Sequence, residues 1–183
     1  MVKIAIVGPQ EDKWTETQKY KARQEILHLF IDNAKEPIGV TGLSIKDFDF
    51  SNITLVSGHC PKGGVDIWAE EIADTLSIKK EIFKPEVNQW NDKEVSVAGY
   101  NHYQGRDIET EAEYTLMGYK SRNIKIAETC DVLYCIVPFN DKIQHTCMQH
   151  KIMEYPYHPQ NGGCWTMKYT KKLGKETHLV VVE

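Results

Sequence analysis

The sequence predicts an α/β fold, a Rossmann-like three-layer arrangement in which a parallel sheet of about five strands has helices on both faces. Two observations carry this prediction: short apolar runs rich in β-branched residues recur along the chain, and helical patterns lie between them. Apolar runs that do not alternate with polar residues are typical of strands covered on both faces. Strands that alternate with helices form parallel sheets with right-handed crossovers. The 183 residues are expected to form one domain over 1–183.

Four strong apolar runs and one weaker segment are the predicted strands. In chain order they are Ile4–Val7, Ile53–Val56, the weaker Glu81–Lys84, Val132–Val137 and Leu179–Val182. The strong runs are short and rich in valine, isoleucine and leucine, which favours buried strands over helices of ordinary length. These runs therefore define the predicted sheet.

Four helical patterns fill the gaps between the strands. They cover Thr15–Ala34, Val65–Leu76, Ser121–Cys130 and Thr166–Leu173. The second pattern is the clearest, because its apolar residues follow the i, i+3, i+4, i+7 spacing of a helix with one buried face. This spacing places Trp68 in the core. Gly174 stands where a glycine commonly ends a helix.

Two long polar segments interrupt the alternation, at about 86–117 and 139–161. Loops of this length in a compact domain commonly carry function. Both segments follow the carboxyl end of a predicted strand, and ligands bind at this edge of open α/β sheets. The two insertions are therefore expected to form lid and specificity elements.

Composition and charge exclude several classes of protein. A net charge of −4 disfavours a general nucleic-acid coat, and 41% hydrophobic with 26% charged residues argues against disorder. No apolar run approaches the roughly 20 residues of a membrane helix. The chain opens on a strand-like run without a signal-peptide pattern, and its five cysteines are too scattered for a disulfide framework. We therefore expect a cytoplasmic protein without membrane partners.

Glycines occur at three predicted strand-to-helix junctions. They are Gly8 after the first strand, Gly58, Gly63 and Gly64 in the loop from Ser57 to Asp66, and Gly162 and Gly163 before the last helix. Glycine lets backbone N–H groups approach a ligand, and a helix N-terminus behind the loop favours phosphate or carboxylate. Tight turns are the alternative for each loop, but three loops at one sheet edge favour a binding site. Neither the Walker pattern nor Gly-x-Gly-x-x-Gly occurs, so no redox cofactor is expected.

A set of short motifs runs through the chain in a defined order. In that order they are Gly8, Leu55-Val56-Ser57-Gly58, Gly63-Gly64-Val65-Asp66-x-x-Ala69-Glu70, Gly118-Tyr119-Lys120-Ser121-Arg122-Asn123 before Ile126-Ala127-Glu128, the strand Asp131–Val137, and Gly162-Gly163 with Leu173-Gly174-Lys175. This order resembles the SLOG superfamily, which includes Smf/DprA and the LOG cytokinin-activating phosphoribohydrolases. The chain is most similar to the small stand-alone members. The resemblance implies a Rossmann-like domain that binds a nucleotide or nucleotide-derived molecule at the carboxyl edge of the sheet and frequently forms a homodimer.

The resemblance also bears on catalysis. In LOG enzymes an arginine and a glutamate of a Pro-Gly-Gly-x-Gly-Thr-x-Glu-Glu motif carry N-glycosidic cleavage. Arg122 stands where that arginine would be, but Lys168 and Tyr169 stand where the two carboxylates would be. Without a carboxylate to stabilise a ribosyl cation or activate water, the reaction lacks its usual acid–base group. The leading hypothesis is therefore a sensor or sequestering protein that binds its ligand without strong catalysis.

Two alternative functions remain open. One is an N-glycosidase or phosphoribohydrolase acting on nucleoside monophosphates with a substitute acid from the first insertion. The carboxylates available there are Glu94, Asp107, Glu109, Glu111 and Glu113. The other is an accessory module for DNA processing that resembles Smf/DprA, although the acidic net charge opposes direct DNA binding.

Several side chains near the glycine loops are candidate ligand contacts. Arg122 has a rigid five-donor fork suited to phosphate. Asp66 is predicted either to contact a ribose hydroxyl or to complement the dipole of its helix. Ser57 and Lys62 are phosphate candidates, with helix capping and a solvated lysine as equal alternatives. The other candidates are Asn123 and Thr166 near the ligand, and Trp90 and Trp165 for base stacking, where packing is an equal alternative.

The second insertion and the last glycine loop contain cysteine and histidine residues at ligand-like spacings. Cys147, His150, His158 and Cys164 supply two thiolates and two imidazoles, a set that suits tetrahedral Zn²⁺. A structural zinc would anchor an insertion that has little apolar content. The alternative is that Cys164 simply points from the helix start, since the spacings match no standard zinc finger.

Overall fold

The structure is a computed structural model that describes residues 1–35, 44–86, 90, 118–141 and 161–183, together with the backbone at 105–106 and 113–114. Its elements in chain order are β1 (Val2–Val7), α1 (Glu16–Asn33), β2 (Ile53–Ser57), α2 (Val65–Thr75), β3 (Lys79–Ile82), β4 (Gly105–Arg106), β5 (Glu113–Tyr114), α3 (Tyr119–Thr129), β6 (Val132–Pro138), α4 (Gly162–Lys172) and β7 (Glu176–Val182). Five strands form one sheet, while β4 and β5 form a separate antiparallel pair.

The strand order of the sheet is β3-β2-β1-β6-β7, and all neighbouring strands are parallel. The chain runs outward from β1 to β3 and then returns to the other side of β1. Strands β1 and β6 therefore flank a topological switch point, where open α/β sheets commonly bind ligands. Helices α1 and α2 cover one face, and α3 and α4 cover the other. The predicted Rossmann-like three-layer fold is confirmed.

The core divides between the two faces because side chains alternate along each strand. In β1, Ile4 and Ile6 pack with the first helix pair, whereas Ala5 and Val7 pack with the second. Trp68 is buried as predicted, and its ring meets that of Trp14 edge to face at 5.4 Å. The two clusters are continuous layers that fix how the helix N-termini approach the sheet edge.

Several boundaries differ from the sequence prediction. Strand β3 lies two residues earlier than expected, because β2 pairs with Lys79, Lys80, Glu81 and Ile82. Strand β7 begins at Glu176, since its polar start continues the ladder with β6. Helix α4 begins at Gly162 instead of Thr166, because the side chain of Asn161 caps it. The last glycine pair is therefore the first turn of a helix.

None of the helices in the described part of the chain combines the length and apolarity needed to cross a bilayer. The predicted helix end before Gly174 is confirmed, since helix α4 ends at Lys172 and Gly174 has a φ of +76°.

Cys130 and Cys135 are both buried in the layer with α3 and α4.

Lys175 binds the carboxyl end of α3. Its ammonium group donates to the carbonyls of Ala127 at 2.9 Å, Glu128 at 2.6 Å and Cys130 at 2.7 Å. These groups lie at a helix end that carries partial negative charge and has few intrahelical donors. We expect Lys175→Met to lower the free energy of unfolding by about 1–2 kcal/mol in urea denaturation.

The matched control for Lys175→Met is Lys125→Met, which removes an exposed lysine from α3, the helix that Lys175 contacts. It is expected to change the free energy of unfolding by less than about 0.5 kcal/mol. If the two substitutions lower the free energy of unfolding equally, Lys175 has no specific role at the helix end.

Candidate functional site

A cavity of about 290 Å³ opens at the carboxyl edge of the sheet, beside the switch point. Its walls come from the loops after β1 and β2 and from the first turns of α2, α3 and α4. Ligand pockets commonly measure about 300–1,000 Å³, so this volume suits a small ligand. The predicted site residues that line it are Gly8, Lys62, Asp66, Trp90, Arg122, Asn123, Gly162, Gly163 and Thr166.

The remaining predicted ligand residues lie behind or beside this cavity. Ser57 is buried beneath it, where its hydroxyl donates to Glu70 Oε1 at 2.6 Å. Gly58 packs against Arg122, and a Cβ at this position would stand 2.3 Å from Nη1. Gly63 and Gly64 shape the entry into α2, and Trp165 lies along α4. The structure thus gives these residues supporting positions.

The predicted zinc ligands are only partly within the described residues. Cys147, His150 and His158 lie outside them, whereas Cys164 is buried in the layer between the sheet and α3 and α4. Among the residues that the structure does describe, no group of three metal-ligating side chains comes together. The structural zinc stays a prediction.

Two glycines allow α4 to reach the end of β1. A Cβ on Gly163 would lie 2.9 Å from the backbone N and Cα of Gly8. A Cβ on Gly8 would lie 2.4 Å from the carbonyl oxygen of Ile136. Gly163 therefore lets the first turn of α4 pack against the end of β1, and Gly8 lets the same backbone approach β6 and Val65 of α2.

The N-termini of three helices meet at this cavity. The capping residues of α2 and α3 are Gly64 and Gly118, and neither provides a side-chain cap. Asn161 caps α4 by accepting from the Cys164 N–H at 3.2 Å. First-turn N–H groups lack intrahelical acceptors and carry partial positive charge. The arrangement favours an anionic group in the cavity.

Arg122 and Asp66 form a buried ion pair in the cavity wall. Nη1 of Arg122 donates to Asp66 Oδ2 at 3.0 Å and to the Gly58 carbonyl at 2.8 Å. Only 8% of Arg122 and 4% of Asp66 is exposed. The Nε atom of Arg122 is buried, and no described residue accepts a hydrogen bond from it. Nη1 is therefore committed to the protein, while Nε is a buried donor without an acceptor among the described residues.

Burial raises the pKa of Asp66 above its ordinary value of 3.8, and the nearby Glu70 adds to this effect. Arg122 opposes the rise through its charge and its hydrogen bond, but the desolvation of the carboxylate is the larger effect. Asp66 is therefore easier to protonate than an ordinary aspartate, although Arg122 favours its charged form.

This raised pKa predicts a pH-dependent stability. Because the folded state binds the Asp66 proton more tightly than the unfolded state, the contribution of this carboxyl to stability is full below about pH 3.8. It declines as the pH rises through the folded-state pKa. Comparing urea denaturation of the wild type and Asp66→Asn from about pH 4 to about pH 7 tests the sign. The wild type should lose stability relative to the variant as the pH rises, and the opposite slope would contradict the assignment.

A second buried carboxylate, Glu70, organises the loop after β2. It accepts from the Ser57 hydroxyl at 2.6 Å, and its Oε2 lies 2.7 Å from Nδ1 of His59. His59 has a φ of +46°, a left-handed conformation that these bonds hold in place. Glu70 was not among the predicted site residues. The signal was its i, i+4 spacing from Asp66, which places both carboxylates on one side of α2.

The rim of the cavity adds positive charge. Lys62 and Lys13 line it, and both are exposed. Lys13 forms an exposed ion pair with Asp12 at 3.4 Å, a contact that solvent screens strongly. With the helix N-termini and Arg122, these lysines make the site complementary to an anion.

Comparison with protein-family models finds no match for this chain, and comparisons with curated proteins and with solved structures find none either. The class of protein is therefore defined by the fold and the site. It is a Rossmann-like α/β domain with a small cavity at the switch point, where helix N-termini surround a buried arginine.

Proposed function

We propose that the protein binds a nucleotide or nucleotide-derived small molecule in this cavity, as a sensor or sequestering protein without strong catalysis. The observation that carries the proposal is the buried Nε of Arg122, which has no acceptor among the described residues. A buried donor without a partner costs about 1–3 kcal/mol, and more where the group is charged. A phosphate oxygen would remove this cost and form a charge-assisted bond.

The first turn of α4 supports a phosphate beside Arg122. Its glycine amides lie at the cavity wall, where a helix N-terminus stabilises negative charge. Thr166 donates to the Gly162 carbonyl at 2.8 Å, and Asn123 Nδ2 approaches the same oxygen at 3.5 Å. These bonds hold the turn in a fixed orientation. A phosphate would therefore meet donors that are already positioned.

The nucleotide part of the proposal has separate support. Trp90 lines the cavity and is 46% exposed, so its ring is available to a base. The carboxylate of Asp66 is an acceptor within the same cavity and is a candidate for a ribose hydroxyl. The resemblance of the motif order to SLOG proteins points to the same class of ligand.

One observation favours N-glycosidic hydrolysis as a second candidate. The carboxylates expected on α4 are absent, but Asp66 brings a carboxyl group with a raised pKa into the cavity beside Arg122. A raised pKa suits a general acid that operates near neutral pH. The acids predicted in the first insertion, Glu94 to Glu113, lie outside the residues whose side chains are described.

Calorimetric titration with AMP, ribose 5-phosphate and adenosine tests the binding proposal. We expect both phosphorylated compounds to bind and adenosine to bind at least about tenfold more weakly, because it lacks the group that Arg122 and α4 recognise. Equal affinities for AMP and adenosine, or no binding of any of the three, would contradict the proposal.

A second assay separates binding from turnover. AMP is incubated with the protein, and free adenine is measured by chromatography. We expect no release of adenine. Release that disappears in Asp66→Asn would instead establish the hydrolase alternative and assign the acid to this carboxyl.

A further inference from the structure

Aromatic side chains continue from the cavity along α4. Trp90 lines the cavity, and its ring meets that of Trp165 edge to face at 5.3 Å. Trp165 in turn stacks on Tyr169, with ring centroids 5.3 Å apart and planes 6° from parallel. The aromatic surface therefore extends without a break from the cavity to the side of the helix.

Two lysines complete a small groove beside these rings. The groove measures about 100 Å³ and is lined by Trp165, Lys168, Tyr169 and Lys172, which we call the α4 shelf. A third lysine, Lys120, places its ammonium 5.8 Å from the centre of the Trp165 ring. The shelf thus combines two half-buried aromatic rings, stacked on each other, with flanking cations.

The charge of the shelf differs from that of the whole protein. Helix α4 contains no acidic residue, and within the described parts of the chain no carboxylate pairs with Lys168 or Lys172. The protein as a whole carries a net charge of −4. A local positive surface in an acidic protein favours an anionic ligand of limited length and opposes a long polyanion that would extend beyond it.

Cavity and shelf share one helix. The cavity wall includes Gly163, while the shelf begins at Trp165 and ends at Lys172. At about 1.5 Å per residue, the start of the shelf lies within a few ångströms of the cavity along the helix axis. The cavity volume suits a small ligand, so a larger molecule bound there would extend beyond it, and the ring contact between Trp90 and Trp165 leads from the cavity to the shelf.

We propose that the ligand has two nucleotide units joined through phosphate, the first held in the cavity by its terminal phosphate and the second on the α4 shelf. This inference rests on the proposed function. Aromatic rings accept any nucleobase by stacking, and lysines beside them attract the linking phosphate. A single nucleotide would use the cavity and leave the shelf empty.

The test compares the affinity of AMP with that of the 5′-phosphorylated dinucleotide pApA by calorimetry. We expect pApA to bind the wild type at least about tenfold more tightly than AMP, because stacking of one base on aromatic residues supplies an effect of this size. Trp165→Ala, and separately Lys168→Ala combined with Lys172→Ala, are expected to bring the ratio of the two affinities close to one.

Two matched controls accompany these variants. Lys171→Ala removes an exposed lysine from α4 outside the groove, and Tyr20→Ala removes an exposed aromatic residue from α1 on the opposite face. Both should retain the wild-type ratio. Circular dichroism of each variant checks that its fold is intact, and the lysine variants keep the test valid if Trp165→Ala fails to fold.

The outcomes separate this inference from the proposed function. If AMP binds and pApA binds no more tightly, the shelf is not a second nucleotide site, while the proposed function stands. If the advantage of pApA persists in both the tryptophan and the lysine variants, the shelf is also rejected. If neither compound binds, both proposals fail. A twenty-residue oligoadenylate that binds far more tightly than pApA would overturn the dinucleotide in favour of single-stranded nucleic acid.

Discussion

Arg122→Met is expected to weaken AMP binding at least about 100-fold and to lower the free energy of unfolding by about 3–5 kcal/mol. The affinity falls because the phosphate loses charge-assisted bonds to a buried guanidinium. The stability falls because Asp66 remains buried without its partner. Since the pKa of Asp66 is already raised, protonation of this carboxyl should make the loss smaller at low pH.

Arg23→Met is the matched control for this substitution. Arg23 forms an ion pair with Glu71 at 2.7 Å, but the side chains are 39% and 54% exposed. Pairs of this kind contribute at most about 1 kcal/mol, and Arg23 lies away from the cavity. Calorimetry and urea denaturation of both variants give the comparison. Unchanged AMP affinity in Arg122→Met would remove Arg122 from the binding site.

Gly64→Ala is expected to lower the free energy of unfolding by more than about 3 kcal/mol. Gly64 has a φ of +96° and a ψ of −152°, a region that residues with a side chain rarely adopt. A Cβ there would also stand 2.4 Å from the carbonyl oxygen of Pro9, and backbone atoms cannot rotate away from it. Both effects displace the start of α2 from the cavity.

Gly174→Ala separates the cost of a left-handed backbone from the cost of a steric clash. Gly174 also has a positive φ, of +76°, but a Cβ at this position would meet no atom within 4 Å. Its substitution should therefore cost only the left-handed conformation, about 1–2 kcal/mol. Urea denaturation measures both variants. Equal losses at the two glycines would show that close packing against the loop after β1 is not what requires Gly64.

Much of the fold could be predicted from the sequence because its signals are local. The β-branched runs and the apolar spacing of α2 indicated the layers and the burial of Trp68. The starts of β7 and α4 could not be predicted from local patterns, because they depend on long-range strand pairing and on a capping side chain. Strand β7 is extended by its ladder with β6, and α4 is extended by the side chain of Asn161.

The candidate site was predictable in position but not in detail. Parallel strands bring their carboxyl ends together, so the glycine loops could be placed at one edge. Which side chains pair there depends on contacts between distant parts of the chain. Arg122 and Asp66 are 56 residues apart, and Ser57 bonds a glutamate 13 residues away. Neither Arg122 nor Glu70 lies within the loop from Ser57 to Asp66, so the loop by itself made Ser57 a candidate for phosphate and gave Glu70 no role in the site.

The proposed function requires that a phosphate binds Arg122 and the first turn of α4. The most direct measurement is the ¹H–¹⁵N NMR spectrum of the protein titrated with AMP, with adenosine as the reference. We expect AMP to move the Arg122 Nε–H resonance downfield, because this buried donor gains an acceptor, and to shift the amide resonances of Gly162 and Gly163. Adenosine should leave these resonances close to their positions in the free protein. If AMP binds while all three resonances stay unchanged, or if adenosine shifts them equally, neither Arg122 nor the first turn of α4 binds the phosphate.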